Sequence, residues 1–109
     1  MKYIFIYEED FMAQYHICEL CNRSVSIITN HHLIPLEKGG KKLDTIHLCP
    51  TCHCAIHALF TNRELASRFN SLELIKKDFK IKKYLKFVEN IPGDSYVPIK
   101  KSRRVRKSS

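Results

Sequence analysis

Apolar and polar positions alternate in different rhythms along the chain, and each rhythm predicts an element. Tyr3 to Tyr7 is an uninterrupted apolar run, predicted as a short strand and followed by the acidic Glu8, Glu9 and Asp10. Val25, Ile27, Ile28 and Thr29 form a β-branched run, and Thr45 to Leu48 a second short strand, with Pro35, Gly39 and Gly40 marking a loop between them. This pattern predicts a long-looped hairpin. From Cys52 to Phe60 the run CHCAIHALF contains neither glycine nor proline and predicts about two helical turns. Thr61 followed three residues later by Glu64 is the signature of a capping box, in which hydroxyl and carboxylate satisfy orphan N–H groups at the start of a new helix. Leu65, Phe69, Leu72, Ile75 and Phe79, then Ile81, Tyr84, Leu85 and Val88, recur at helical intervals with lysines between them. Such a stripe predicts helices packed on one face and solvated on the other. Pro92 and Gly93 end the pattern.

Length and charge narrow this picture. A chain of 109 residues supports one compact domain, since about 100 to 200 residues per domain is usual. The folded part is expected over residues 1–91, with core 18–60 and accessory helices 62–91, and residues 92–109 are expected to be a disordered basic tail. The run at Tyr3 is far shorter than the ~20 residues a membrane-spanning helix needs, and no small-residue cleavage site follows it. A cytoplasmic protein is expected, or a nuclear one in a eukaryotic host. In such a reducing compartment five cysteines serve as metal ligands or free thiols rather than as a disulfide framework. The net charge is +8, and +5 of it falls in residues 92–109, where Lys100, Lys101, Arg103, Arg104, Arg106 and Lys107 face a single Asp94. Those six cations are expected to form a phosphate-binding arm for nucleic acid, or else a solvated end or import signal. Lys76, Lys77, Lys80, Lys82, Lys83 and Lys86 are expected to be only the solvated face of the packing helices.

Two constellations carry chemistry. Cys18-x2-Cys21 and Cys49-x2-Cys52, separated by 27 residues, have the arrangement of a tetrahedral site with four thiolate ligands for structural zinc. One ion would then clip the segment before the hairpin to the turn between its second strand and the helix. Cys54 reads as a small apolar helix residue, and His16 as a surface residue. The second constellation is His31, His32, His53 and His57. His53 and His57 stand at i and i+4, on one face of a helix and within reach of one ion. His31 and His32 are adjacent on a strand, so their side chains point to opposite sides and the two must differ in role. His47, between Ile46 and Leu48, reads as a surface histidine.

HHLIP, the loop that ends at Asp44, and CHCAIH together resemble the ββα-metal motif (His-Me finger) of HNH endonucleases. The likeness covers about Cys18 to Phe60 and includes the zinc-binding cysteines common in phage and bacterial members. It implies an α+β fold: a ββα-metal core with a four-cysteine zinc site, flanked by C-terminal packing helices and the basic tail. It also implies that His31, His53 and His57 hold a catalytic divalent metal (Mg2+, Mn2+, Ni2+ or Zn2+), that His32 is the general base, and that DNA is cut to 3′-hydroxyl and 5′-phosphate ends. Asp44, nine residues before His53, stands where the family usually has an asparagine that orients the base, and it can accept the same hydrogen bond. Three imidazoles suit Zn, Ni or Mn, whereas Mg prefers oxygen ligands. The partner implied is DNA, with no membrane, and a double-strand cut by one small site often calls for a homodimer. The alternative readings are a non-catalytic zinc module that binds nucleic acid through its basic tail and a protein-interaction zinc finger of the same fold. Four histidines at these spacings separate the nuclease from both, because a binding module has no physical need for them.

Overall fold

The computed structural model describes residues 15–41 and 44–108, with side chains up to Arg106. The apolar strand expected at Tyr3 to Tyr7 and its acidic sequel lie outside the described residues. The chain is a small α+β protein with two short antiparallel sheets. Strands β1 (His16–Ile17) and β2 (Ser24–Val25) form one. Strands β3 (Thr29–His32) and β4 (Thr45–Leu48) form the other, in the register Thr29 to Leu48 and His32 to Thr45. A 3-10 turn, Leu36–Lys38, shapes the long connection between β3 and β4. Gly39 closes that turn at φ +91, and a Cβ on Gly40 would come within 1.8 Å of the Ile34 carbonyl oxygen. Both positions therefore require glycine: one for its left-handed backbone, the other for its close approach.

Helix α1 (Pro50–Leu59) follows β4 directly and rests on β3 and β4. Its boundaries follow from chemistry legible in the sequence. Cys49 caps it by accepting a hydrogen bond from Cys52 N, and Pro50 occupies its first position, where the missing N–H costs nothing. Helix α2 (Asn62–Ser67) begins at the expected capping box, with Thr61 Oγ1 accepting from Glu64 N at 3.1 Å and Glu64 Oε1 from Thr61 N at 2.9 Å. Helices α3 (Leu72–Lys77) and α4 (Phe79–Val88) are capped by Ser71 and Asp78. In α4, Ile81, Tyr84 and Val88 are buried while Lys80, Lys82, Lys83 and Lys86 are exposed, so most of the stripe is a packing face backed by solvent; Phe79, expected on that face, is exposed instead. The core joins Leu20, Val25, Ile46, Leu48, Ile56, Leu65, Ile75, Ile81 and Val88. Each such aliphatic side chain contributes about 1.5 to 3 kcal/mol by leaving water.

The C-terminal segment corrects an expectation. In place of a disordered tail, the chain after α4 is tied down and ends in a helix, α5 (Arg103–Ser108). Arg23 Nη1 donates to the Ile91 carbonyl at 2.9 Å, and Asp94 Oδ1 accepts from Ser26 N at 2.8 Å. Gly93 lies so close to β2 that a Cβ there would come within 2.2 Å of Ser24 O. Farther on, Ser102 N donates to Ala58 O at 2.9 Å and Arg104 Nη2 to Leu59 O at 2.8 Å, while Arg104 also pairs with Glu64. These bonds satisfy carbonyls that the last turn of α1 leaves without helical partners. Val105 is buried, and Ile99 packs against the core. One buried valine within a run of cations is too thin a signal for periodicity to detect, which is why the run read as disorder.

Candidate metal centres

The first centre is assembled by two turns. Cys18 and Cys21 sit on the β1–β2 connection, held by Asn22 N donating to Cys18 O at 2.9 Å and by Asn22 in the left-handed region at φ 60, which asparagine tolerates. Cys49 and Cys52 are the cap and first turn of α1. The four sulfurs all lie within 4.8 Å of one another, and Cys21 and Cys49 are 4.0 Å apart. Tetrahedral zinc with ligands at about 2.3 Å requires sulfurs roughly 3.8 Å apart. The cluster thus fits a structural metal such as zinc.

Its surroundings answer to negative charge. Arg23 Nε donates to Cys21 Sγ at 3.1 Å and its Nη2 to Cys49 Sγ at 3.8 Å. Burial is the largest single influence and works against the Arg23 charge, but the bond to Cys21 and the charges of Cys21, Cys49 and Cys52 together outweigh it and the guanidinium pKa is raised. The Tyr84 hydroxyl donates to Cys52 Sγ at 3.2 Å. Burial first, and this bond second, raise the tyrosine above its ordinary value. Crowding splits the thiols: bonds from Cys18 and then Cys49 hold Cys21 low, whereas those from Cys18 and Cys21 push Cys49 and Cys52 up. Four sulfurs this close cannot all ionise without a cation between them.

The second centre is three imidazoles. His31 reaches inward from β3, and His53 and His57 come from successive turns of α1. The ring centroids are 5.3 Å apart for His31 and His53, 5.2 Å for His31 and His57, and 5.2 Å for His53 and His57. One nitrogen from each ring lies within 4.8 Å of the others. His31 is 1% exposed, and both of its ring nitrogens are buried without a hydrogen-bond partner among the described residues. A buried polar atom left this way costs about 1 to 3 kcal/mol, and a bound cation would remove that cost at the coordinating nitrogen. Burial, followed by the neighbouring His57 and His53, pushes the His31 pKa down to about 3. His53 and His57 are also lowered, chiefly by burial. All three are thereby kept neutral, the form in which imidazole ligates metal.

Thr29 orients one ring. Its hydroxyl donates to Leu48 O at 2.8 Å and lies 2.7 Å from His53 Nδ1. With the hydroxyl proton committed to the carbonyl, Nδ1 must be the donor, and the Nε2 lone pair is left for the centre.

The remaining expected residues divide. His32 is half-buried and lines a pocket of about 340 Å3 with Asn30, His53, His57 and Asn62. Asp44 is exposed and outside that lining; its backbone carbonyl accepts from Leu33 N at 3.0 Å. Among the described residues its carboxylate has no hydrogen bond to His32. His16 is exposed, and so is His47, which pairs with Glu19 at 3.6 Å. Cys54 stands apart from the cluster on the exposed side of α1 instead of packing as an apolar residue. Of the six tail cations, Lys101 lines a pocket with His57, Lys100, Arg103 and Arg106 are exposed, and Arg104 is engaged by Glu64. The Lys107 side chain lies outside the described residues.

Over 91 residues the chain is 43% identical to the uncharacterized protein YisB of Bacillus subtilis (strain 168), covering 84% of this chain and 91% of that protein. The chain belongs to the YisB family. No family model matches it, and no solved structure does. Since YisB is itself uncharacterized, membership in the YisB family brings no activity with it, and chemistry has to be argued from the two centres. Sequence reasoning missed Thr29, Arg23 and Tyr84. Thr29 was findable, because it stands two residues before His31 and therefore shares its strand face. Arg23 stands two residues after Cys21 and could have been noticed for that bond, whereas its reach to Cys49 and the contact of Tyr84 with Cys52 come from tertiary packing, which has no local signature.

Proposed function

We propose that this YisB-family chain is a metal-dependent DNA endonuclease of the HNH type. The reading is carried by one observation: His32, adjacent to the buried ligand-type His31, opens into the same pocket as His53 and His57. A general base beside a three-imidazole centre is the arrangement that phosphodiester hydrolysis needs. The order β3, β4, α1, with the histidines on its first strand and its helix, agrees with a ββα-metal core. His31, His53 and His57 would hold the divalent ion, which when bound supplies Lewis-acid stabilisation of charge on the phosphate.

In this scheme His32 takes a proton from water as the water oxygen bonds to phosphorus, and the bond from phosphorus to the leaving oxygen breaks. Thr29 keeps His53 facing the centre, and the buried flank of His31 excludes water from it. A zinc module that only binds nucleic acid accounts for the cysteines but leaves the buried, unpartnered His31 without a purpose.

Purified protein supplied with Mn2+, Ni2+ or Mg2+ is expected to cut plasmid DNA. His32→Ala should lower the rate by about 100-fold or more, the usual scale for a general base, with zinc content and thermal melting near those of the parent. Undiminished cutting by His32→Ala would remove His32 from that role, and no cutting by the parent with any of the metals would remove the nuclease reading.

A further inference from the structure

A second pocket, of about 750 Å3, lies beside the histidine pocket and shares His57, Glu37 and Asn62 with it. Together the two make one groove lined by His32, His53 and His57. The far wall of the larger pocket carries Lys38 and Arg63, and Lys101 and Val105 of the C-terminal segment complete it. Lys38, Arg63 and Lys101 are exposed, and Lys101 shares the lining of this pocket with His57. The carboxylates nearby offset this charge only in part: Glu64 is engaged by Arg104, and Glu37, at the junction of the two pockets, is one carboxylate against Lys38, Arg63 and Lys101 in the lining of the larger pocket. The segment bearing Lys101 is held in place by Ser102 on Ala58 O, by Arg104 on Leu59 O and Glu64, and by burial of Val105. Among the described side chains of the tail's expected phosphate ligands, Lys101 lines the groove and Arg104 is engaged in fastening the wall.

We infer that Arg63 and Lys101 form a subsite for the phosphodiester backbone of the DNA strand, flanking the imidazole centre on the side of His57, and that the docked C-terminal segment builds it. This rests on the nuclease reading for the identity of the ligand. Two cations on opposite elements, α2 and the C-terminal segment, would grip phosphates and set the strand's register across the centre, as backbone contacts do generally.

The test is the salt dependence of binding to a fluorescent DNA duplex, with the zinc-loaded protein and no added divalent ion, alongside plasmid cutting by the parent. Each phosphate contact contributes close to one unit to the slope of log affinity against log salt. Arg63→Gln and Lys101→Gln should each reduce the slope by about 1, and the double variant by about 2, while Lys82→Gln on α4, Arg103→Gln and Arg106→Gln leave it unchanged. Arg104→Ala should also lower the slope, by loosening the wall that carries Lys101. Equal reductions from Arg103→Gln and Arg106→Gln, with none from Arg63→Gln, would overturn the subsite in favour of a flexible arm. Parent protein that cuts DNA with slopes unchanged in Arg63→Gln and Lys101→Gln would sink the subsite alone. Parent protein that neither binds nor cuts DNA would sink both readings.

Discussion

Helix α1 serves two centres built on opposite principles. Cys49 and Cys52 start it within a closed set of four ligands, and His53 and His57, one residue on from Cys52 and one turn later, belong to a set of three that opens into a pocket. The cysteine centre is enclosed by Arg23, Tyr84 and the β1–β2 turn, each tied to a distant part of the chain. At the histidine centre one wall is left to solvent and lined by His32, Asn30 and Asn62. Structural zinc sites are saturated by protein, whereas catalytic ones keep a position free. If the histidine centre is the catalytic one proposed above, the same helix serves both a closed site that holds the fold and an open one, and the two centres should respond differently to damage.

The largest contrast is between Cys49→Ser and His57→Ala. Structural zinc can contribute about 10 to 16 kcal/mol to a small domain, comparable to the entire stability of about 5 to 15 kcal/mol expected for a folded protein. Cys49→Ser is expected to lose zinc and helical circular dichroism together. His57→Ala should retain one zinc equivalent and a cooperative melt. A folded, zinc-free Cys49→Ser protein would erase the distinction. A smaller effect is expected from Arg23→Met, which removes the cation beside Cys21 and Cys49 and unties Ile91 from the cysteine hairpin. Hydrogen bonds to charged groups contribute about 1.5 to 3 kcal/mol, so the urea midpoint should fall with the slope of the transition unchanged. An unmoved midpoint would make Arg23 a bystander to the cluster.

The same contrast explains what was legible in the sequence. The cysteine pairs, the capping box at Thr61, the α4 stripe and the His53/His57 spacing are local, and each was readable because its residues sit within one turn or one helix. His31 joined them through the hairpin register, which turn residues and β-branched runs also announce. Asp44 was given a side-chain role by resemblance, yet its carboxylate is exposed and its hydrogen bond to Leu33 uses the backbone. Apart from the bond of Arg23 to Cys21 two residues away, the contacts of Arg23, those of Tyr84 and the docking of α5 span 26 to 68 residues in sequence, where neither periodicity nor spacing carries information. Local chemistry was visible, and the long-range supports that fix it in place were not.

Thr29→Val gives the finest test of the histidine centre, because valine keeps the shape and removes only the hydroxyl. Without it His53 Nδ1 loses its 2.7 Å partner and the Leu48 carbonyl loses a donor, so the ring can rotate or exchange tautomers and its Nε2 lone pair is no longer held toward His31 and His57. Losing a partner of this kind typically weakens metal binding by about 10- to 100-fold, or roughly 1.4 to 2.7 kcal/mol. Titration with Co2+ or Ni2+, read at the imidazole centre while the thiolate bands of the cysteine centre stay constant, would measure it. Thr29→Ser restores the hydroxyl and should restore most of the affinity. If Thr29→Val binds as tightly as the parent, then His53 is oriented by packing on α1 alone, and the hydrogen-bonded link from Leu48 through Thr29 to the centre has no functional weight.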